Sequence, residues 1–266
     1  MTRLVPRTVL LVVGVASIIV AVVPPVSIWA RTTEVAQAIQ FLLLSVVGPP
    51  LIVCSAPWGR LGLSAHELIE PSPDGVVELE DPVRPMDRMV VARLSRRDAW
   101  RGVGVGALGC GIVVLWRLPF LIAASVDHEW VLLVEALTLA PIMGMLWLEL
   151  VSSPPSEPRL TRPMRIAVSA VVMWTVWVTA YLMGLSSHVW YSGTAHVAGQ
   201  GLSLTADQQL AAGFIWIVSA AAFLPVIFSN LVRWIQSDED PDDELYRLIR
   251  AERRVAAPDV DDSHGS

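Results

Sequence analysis

Lysine is absent from this 266-residue sequence, so all 19 basic residues are arginine. Charge of either sign is scarce: 17% of residues are charged, against about 25% in an ordinary soluble domain. That scarcity argues against a soluble globular enzyme. There are two cysteines, Cys54 and Cys110, at the end of and inside apolar runs, so a disulfide framework is not expected and both are read as packing residues. Also missing are a P-loop, a dinucleotide glycine fingerprint, a zinc-protease helix and a nucleophile elbow. Gly102-Val-Gly-Val-Gly106 is a glycine-rich helix start with no strand before it. No enzymatic activity and no nucleic-acid partner are expected.

What the sequence has instead is long apolar runs: 54% of the residues are hydrophobic and the mean hydropathy is +0.56. A helix crossing the hydrocarbon core needs about 20 mostly apolar residues, and only helices or closed barrels satisfy their backbone in lipid. The runs predict an all-α, polytopic membrane helix bundle of about six transmembrane helices. They fall at about Thr8–Val26, Val35–Cys54, Gly102–Ala124 (interrupted by Arg117 and Pro119), Trp130–Val151, Ile166–Leu185 and Gln208–Ile235, the last with Pro225 as a kink point. Residues 1–236 would form the membrane domain, with a polar loop at 55–100, and 237–266 a polar tail. The net charge of −6 reflects acids gathered in that loop and tail.

Arginine placement sets the direction. With the N-terminus in the cytoplasm, 17 of the 19 arginines lie in inside segments, and only Arg31 and Arg117 lie outside. The positive-inside rule therefore places both termini in the cytoplasm. Arg3, Arg7, the first apolar run and Ala30 also fit a cleaved signal peptide, but the run is long for one and the residues before Ala30 are bulky, which favours a retained span. The stretch Leu245–Arg254 has one apolar face and reads as a solvated helix end or a surface-lying segment.

Polar residues inside spans are expensive and ask for a reason. Glu135 lies within the fourth run, and helical spacing puts it on one face with His128, Leu132 and Ala136, within possible reach of Arg117. Asp207 opens the sixth run, where a carboxylate caps free amides; Gln208, Gln209, Gly213 and Trp216 follow. Gly213 would allow close helix approach. His188 and His196 lie in the outer loop and, with His128, make three outer imidazoles of a type that suits copper or zinc. Solvated loop histidines and methionines used for packing (Met143, Met145, Met173, Met183) are the plainer readings.

Asp207-Gln-Gln-Leu-Ala-Ala-Gly-Phe-Ile-Trp216 resembles the Asp-Gln-x-x-(Ala/Gly)-Gly-x-x-Met-Trp signature of the polytopic CtaG family of cytochrome c oxidase assembly factors, associated with caa-type oxidases. Ala212 stands where that family has Gly, and Ile215 where it has Met. Gln40 to Leu51 is similar to the family's second-span stretch ending in Pro-Pro-Leu; Pro57, Trp147, Pro154-Pro155, Arg159 and Arg165 also match. The likeness runs from about Val35 to Trp234.

The resemblance implies a multi-pass protein of a bacterial plasma membrane that aids copper-site or subunit assembly, with oxidase subunits and the lipid bilayer as partners and copper as a possible ligand. This chain departs from the family at the histidines. Gln37 and Phe41 stand in the family's second-span His-x-x-Gln-His pattern, and Leu132 and Ala136 in its fourth-span His-x-x-Glu-His pattern, while Glu135 is kept. A metal-free scaffold and a small-solute or ion transporter are the alternatives. A transporter would be favoured by an internal repeat with broken helices, and the sequence shows no convincing repeat.

Overall fold

The computed structural model describes residues 6–57, 85–153, 158–186 and 203–238. His188, His196, most of the expected cytoplasmic loop and the Leu245–Arg254 segment lie outside them. Nine α-helices are described: α1 (Arg7–Val22), α2 (Val26–Trp29), α3 (Glu34–Leu42), α4 (Gly48–Ser55), α5 (Pro85–Trp116), α6 (Pro119–Asp127), α7 (Glu129–Leu150), α8 (Arg162–Leu185) and α9 (Leu204–Asp238). No strand occurs among the described residues, so the all-α expectation holds. Five stretches are long and apolar enough to cross a membrane: Glu34–Ser55, Ala99–Trp116, Glu129–Leu150, Arg162–Leu185 and Leu204–Gln236. α1 is apolar but has only 16 residues, about 24 Å at 1.5 Å per residue, short of a full crossing by itself.

Where the helices begin and end follows from local chemistry. α5 starts at Pro85, well before the apolar run, because proline is tolerated in a first helical turn. The expected interruption at Arg117 and Pro119 is present: α5 stops at Trp116 and α6 restarts on Pro119, since proline cannot continue the preceding hydrogen-bond ladder. By contrast α9 runs on through Pro225.

The second span is broken in its middle. Between α3 and α4 the chain makes a π-helical turn, Leu43–Val47, immediately before Pro49 and Pro50, which supply no N–H to a regular ladder. The break is held from the side. The Ser45 hydroxyl donates to the Phe41 carbonyl at 2.6 Å. The Ser45 carbonyl in turn accepts from Trp147 Nε1 at 3.3 Å, and the Trp147 ring stacks on Phe223 at 4.9 Å. Trp147, Phe223, Leu44 and Leu139 are all fully buried, so the core is centred where α7 and α9 meet this turn.

α1 lies antiparallel against the second span through two glycines. A Cβ on Gly14 would come within 2.8 Å of Ile52 Cγ1, and one on Gly48 within 2.7 Å of Ile18 Cγ1. The end of α7 is tied by the buried Glu149: its carboxylate accepts from the Arg159 backbone N–H at 2.9 Å and lies 3.6 Å from the Arg159 guanidinium. Close packing makes the glycine seam testable. Gly14→Val should destabilise the protein by about 1–3 kcal/mol, because a Cβ there also meets the Gly48 carbonyl oxygen at 3.0 Å. Gly111→Ala, where a Cβ meets nothing within 4 Å, should leave thermal unfolding in detergent unchanged or slightly improved.

Candidate functional site

The residues singled out by sequence converge at the end of the bundle where α3, α7 and α9 begin and α8 ends. Asp207 sits in the first turn of α9. It does not cap its own helix, as its position in the sequence suggests; there Ser203 accepts from the Ala206 N–H at 3.2 Å. Its Oδ2 accepts from the Glu34 N–H at 2.7 Å and its Oδ1 from the Val35 N–H at 3.3 Å. Those are two of the four unpaired amides at the start of α3. Thr33 completes the set: its hydroxyl oxygen accepts from the Ala36 N–H at 3.3 Å and its own N–H donates to the Trp29 carbonyl at 3.0 Å. An anion at a helix N-terminus is also favoured by the helix dipole.

Gln208, 1% exposed, does the complementary job on α8. Its amide Nε2 donates to the Met183 carbonyl at 2.6 Å and to the Ser186 carbonyl at 3.5 Å. So one neighbouring pair joins three helices: an acceptor-only side chain goes to free N–H groups, and an amide donor goes to free carbonyls. In an apolar surrounding each group left unpaired would cost about 1–3 kcal/mol.

Beside this clasp lies a buried polar chamber. Glu34 is 2% exposed and Glu135 6%. Arg117, from the α5–α6 break, is 4% exposed and acts electrostatically on both carboxylates. Its guanidinium lies over the Phe41 ring, 4.0 Å from the centroid. Arg117 Nε and both Glu34 carboxylate oxygens are buried with no hydrogen-bond partner among the described residues. Gln37 donates to the Ser125 hydroxyl at 3.2 Å, and Gln40 donates to the Ala21 carbonyl. The pairing of Glu135 with Arg117 is not made as an ion pair among the described residues; Arg117 acts on Glu135 only at longer range. Sequence reasoning missed Glu34, although Thr33 followed by an acid just before the second apolar run is a helix-start signal.

His128 does not join them. It precedes α7 in extended conformation, is exposed, and stacks on Trp130 with ring centroids 6.2 Å apart. Leu132, Glu135 and Ala136 do share a buried face. Among the described residues, the donor set at this end does not fit a metal ion. Gln37, Phe41, Leu132 and Ala136 offer one amide and three hydrocarbon side chains, and no group of three or more His, Cys, Asp or Glu among the described residues is placed to hold one.

On the outer side of the clasp, α8 and α9 enclose a groove of about 540 Å³. Trp174, Trp177, Tyr181 and Trp216 form its aromatic walls, with Gly184 and Gly213 among its lining residues. The indoles make a chain, Trp174–Trp177 at 5.8 Å and Trp177–Trp216 at 5.3 Å. The closest helix approach is at Gly184, where a Cβ would meet Ala212 Cβ at 3.2 Å. Gly213 is not at that contact: a Cβ on it meets nothing within 4 Å, so it keeps the groove open.

Against known proteins, the chain matches the family described as cytochrome c oxidase caa3 assembly factor (Caa3_CtaG) over residues 3–237. No curated protein and no solved structure matches it.

The clasp chemistry orders its variants. Asp207→Ala should cost more stability than Asp207→Asn, which keeps one acceptor oxygen. Gln208→Glu should be worse than Gln208→Leu, because it sets an acceptor against two carbonyls. Thermal unfolding of the four purified proteins checks that order.

Proposed function

The chain belongs to the family of cytochrome c oxidase caa3 assembly factors, and on that premise we propose that it holds an oxidase subunit in the membrane during assembly. The subunit's transmembrane helix would lie in the α8–α9 groove. The observation that carries this reading is the groove itself: Trp174, Tyr181 and Trp216 are 59%, 65% and 51% exposed on the outside of the bundle. The same groove has glycine at two lining positions. Small residues let a second helix approach backbone to backbone, which is how helices associate in lipid without a hydrophobic driving force.

In this reading the assembly role is subunit holding, not copper transfer through the second and fourth spans. Gln37, Phe41, Leu132 and Ala136 give copper no ligand set, and Cu(I) favours thiolate, thioether or imidazole donors. Asp207 and Gln208 then act at one remove, by fixing the relative position of α8 and α9 and so the width of the groove. The arginine distribution supports a bacterial plasma-membrane protein with cytoplasmic termini and the clasp end on the outer side.

Gly213→Leu separates function from folding. It should fill the groove without disturbing α8–α9 packing, leaving the melting midpoint near wild type. Oxidase activity of the membranes, and recovery of oxidase subunits with the purified protein, should fall together. Normal values of both with a filled groove would remove this docking site.

A further inference from the structure

We infer that Arg117 is a resident counter-cation: without a direct ion pair, its buried guanidinium supplies the positive charge that the buried carboxyl groups of Glu34 and Glu135 would otherwise draw from a bound metal ion. Three observations carry this. First, Glu34 and Glu135 come from different helices, both are buried, and both lie within electrostatic reach of Arg117. Second, Arg117 is itself 4% exposed, and its Nε–H and the two Glu34 oxygens lack hydrogen-bond partners among the described residues. Ionisable groups of both signs, each costly to bury as a lone charge, are thus buried within electrostatic range of one another. Third, the guanidinium is fixed in position by the Phe41 ring beneath it at 4.0 Å. Flat packing of this kind suits the delocalised guanidinium better than the compact, strongly hydrated ammonium of lysine.

The chain route explains how the cation gets there. α5 ends at Trp116 and Pro119 restarts α6, so Arg117 leaves the helical path at the level of the chamber. Trp116 anchors the turn by donating from Nε1 to the Thr138 hydroxyl at 3.0 Å, on the same helix as Glu135. Asp207, whose oxygens accept from the α3 amides, adds a further negative charge that acts on Glu34. Glu34 stands in the first turn of α3, where the helix dipole also offsets negative charge. The inference is independent of the docking groove and holds whatever partner binds there.

The test uses the full chain in detergent, with Zn2+ and Cu(I) as probes. Wild type, Glu34→Gln and Glu135→Gln should carry the same metal content after exposure to each ion and desalting. Arg117→Gln should lower the melting midpoint, and adding Glu135→Gln to the same chain should raise it again. Arg117→Lys should restore only part of the loss, since lysine supplies the charge without the flat stacking surface. Loss of bound metal in either isosteric glutamate variant would overturn the inference. So would an Arg117→Gln protein as stable as wild type, or a double variant less stable than Arg117→Gln alone.

Discussion

Two adjacent side chains at the start of α9 hold one end of this membrane bundle. Asp207 accepts from the first two amides of α3, and Gln208 donates to the last carbonyls of α8. Helix ends are the weak points of any helical membrane protein, because each leaves four backbone groups without an internal partner and hydrocarbon provides none. Here three helix ends meet and satisfy one another. A carboxylate can only accept, and an amide nitrogen can only donate, so the order Asp-Gln is dictated by which end of which helix lies on either side. Neither residue can be replaced by the other without setting like against like.

The clasp has consequences on both sides. Towards the interior it fixes the first turn of α3 and with it Glu34, whose side chain is buried. Towards the exterior it fixes the upper part of α8 against α9, where Gly184 and Ala212 make the close contact and the aromatic groove opens beside them. The interior site holds a buried guanidinium of the chain itself, and the exterior one is apolar and accessible. In a family of oxidase assembly factors, that combination favours work done by shape at the surface over metal chemistry in the core.

Hydropathy and arginine placement made most of the fold legible, because lipid imposes length and polarity on every span. Four runs became long helical stretches with boundaries within a few residues of those expected; the third, expected over Gly102–Ala124, is instead a helix from Pro85 to Trp116 followed by α6, broken at the Arg117–Pro119 interruption that was visible in the chain. Asp207 and Gln208 stood out as residues, but their partners did not: the Asp207–Glu34 bond joins positions 173 apart, and no local pattern encodes such a contact. His128 was misplaced because helical periodicity was extended past the start of α7, where the backbone is in fact extended. Gly213 drew attention that belonged to Gly184, since spacing along one helix does not say which glycine meets a neighbour. The boundary of the second run at Val35 hid Glu34, whose charge ends the apolar stretch while its side chain turns inward.

Backbone amide hydrogen exchange at Glu34 and Val35 probes the clasp at its origin. In a lipid nanodisc the wild-type amides should be strongly protected, and Asp207→Ala should speed their exchange while leaving the middle of α7 unchanged. Equal protection of both amides in wild type and Asp207→Ala would contradict the view that this carboxylate holds the end of α3.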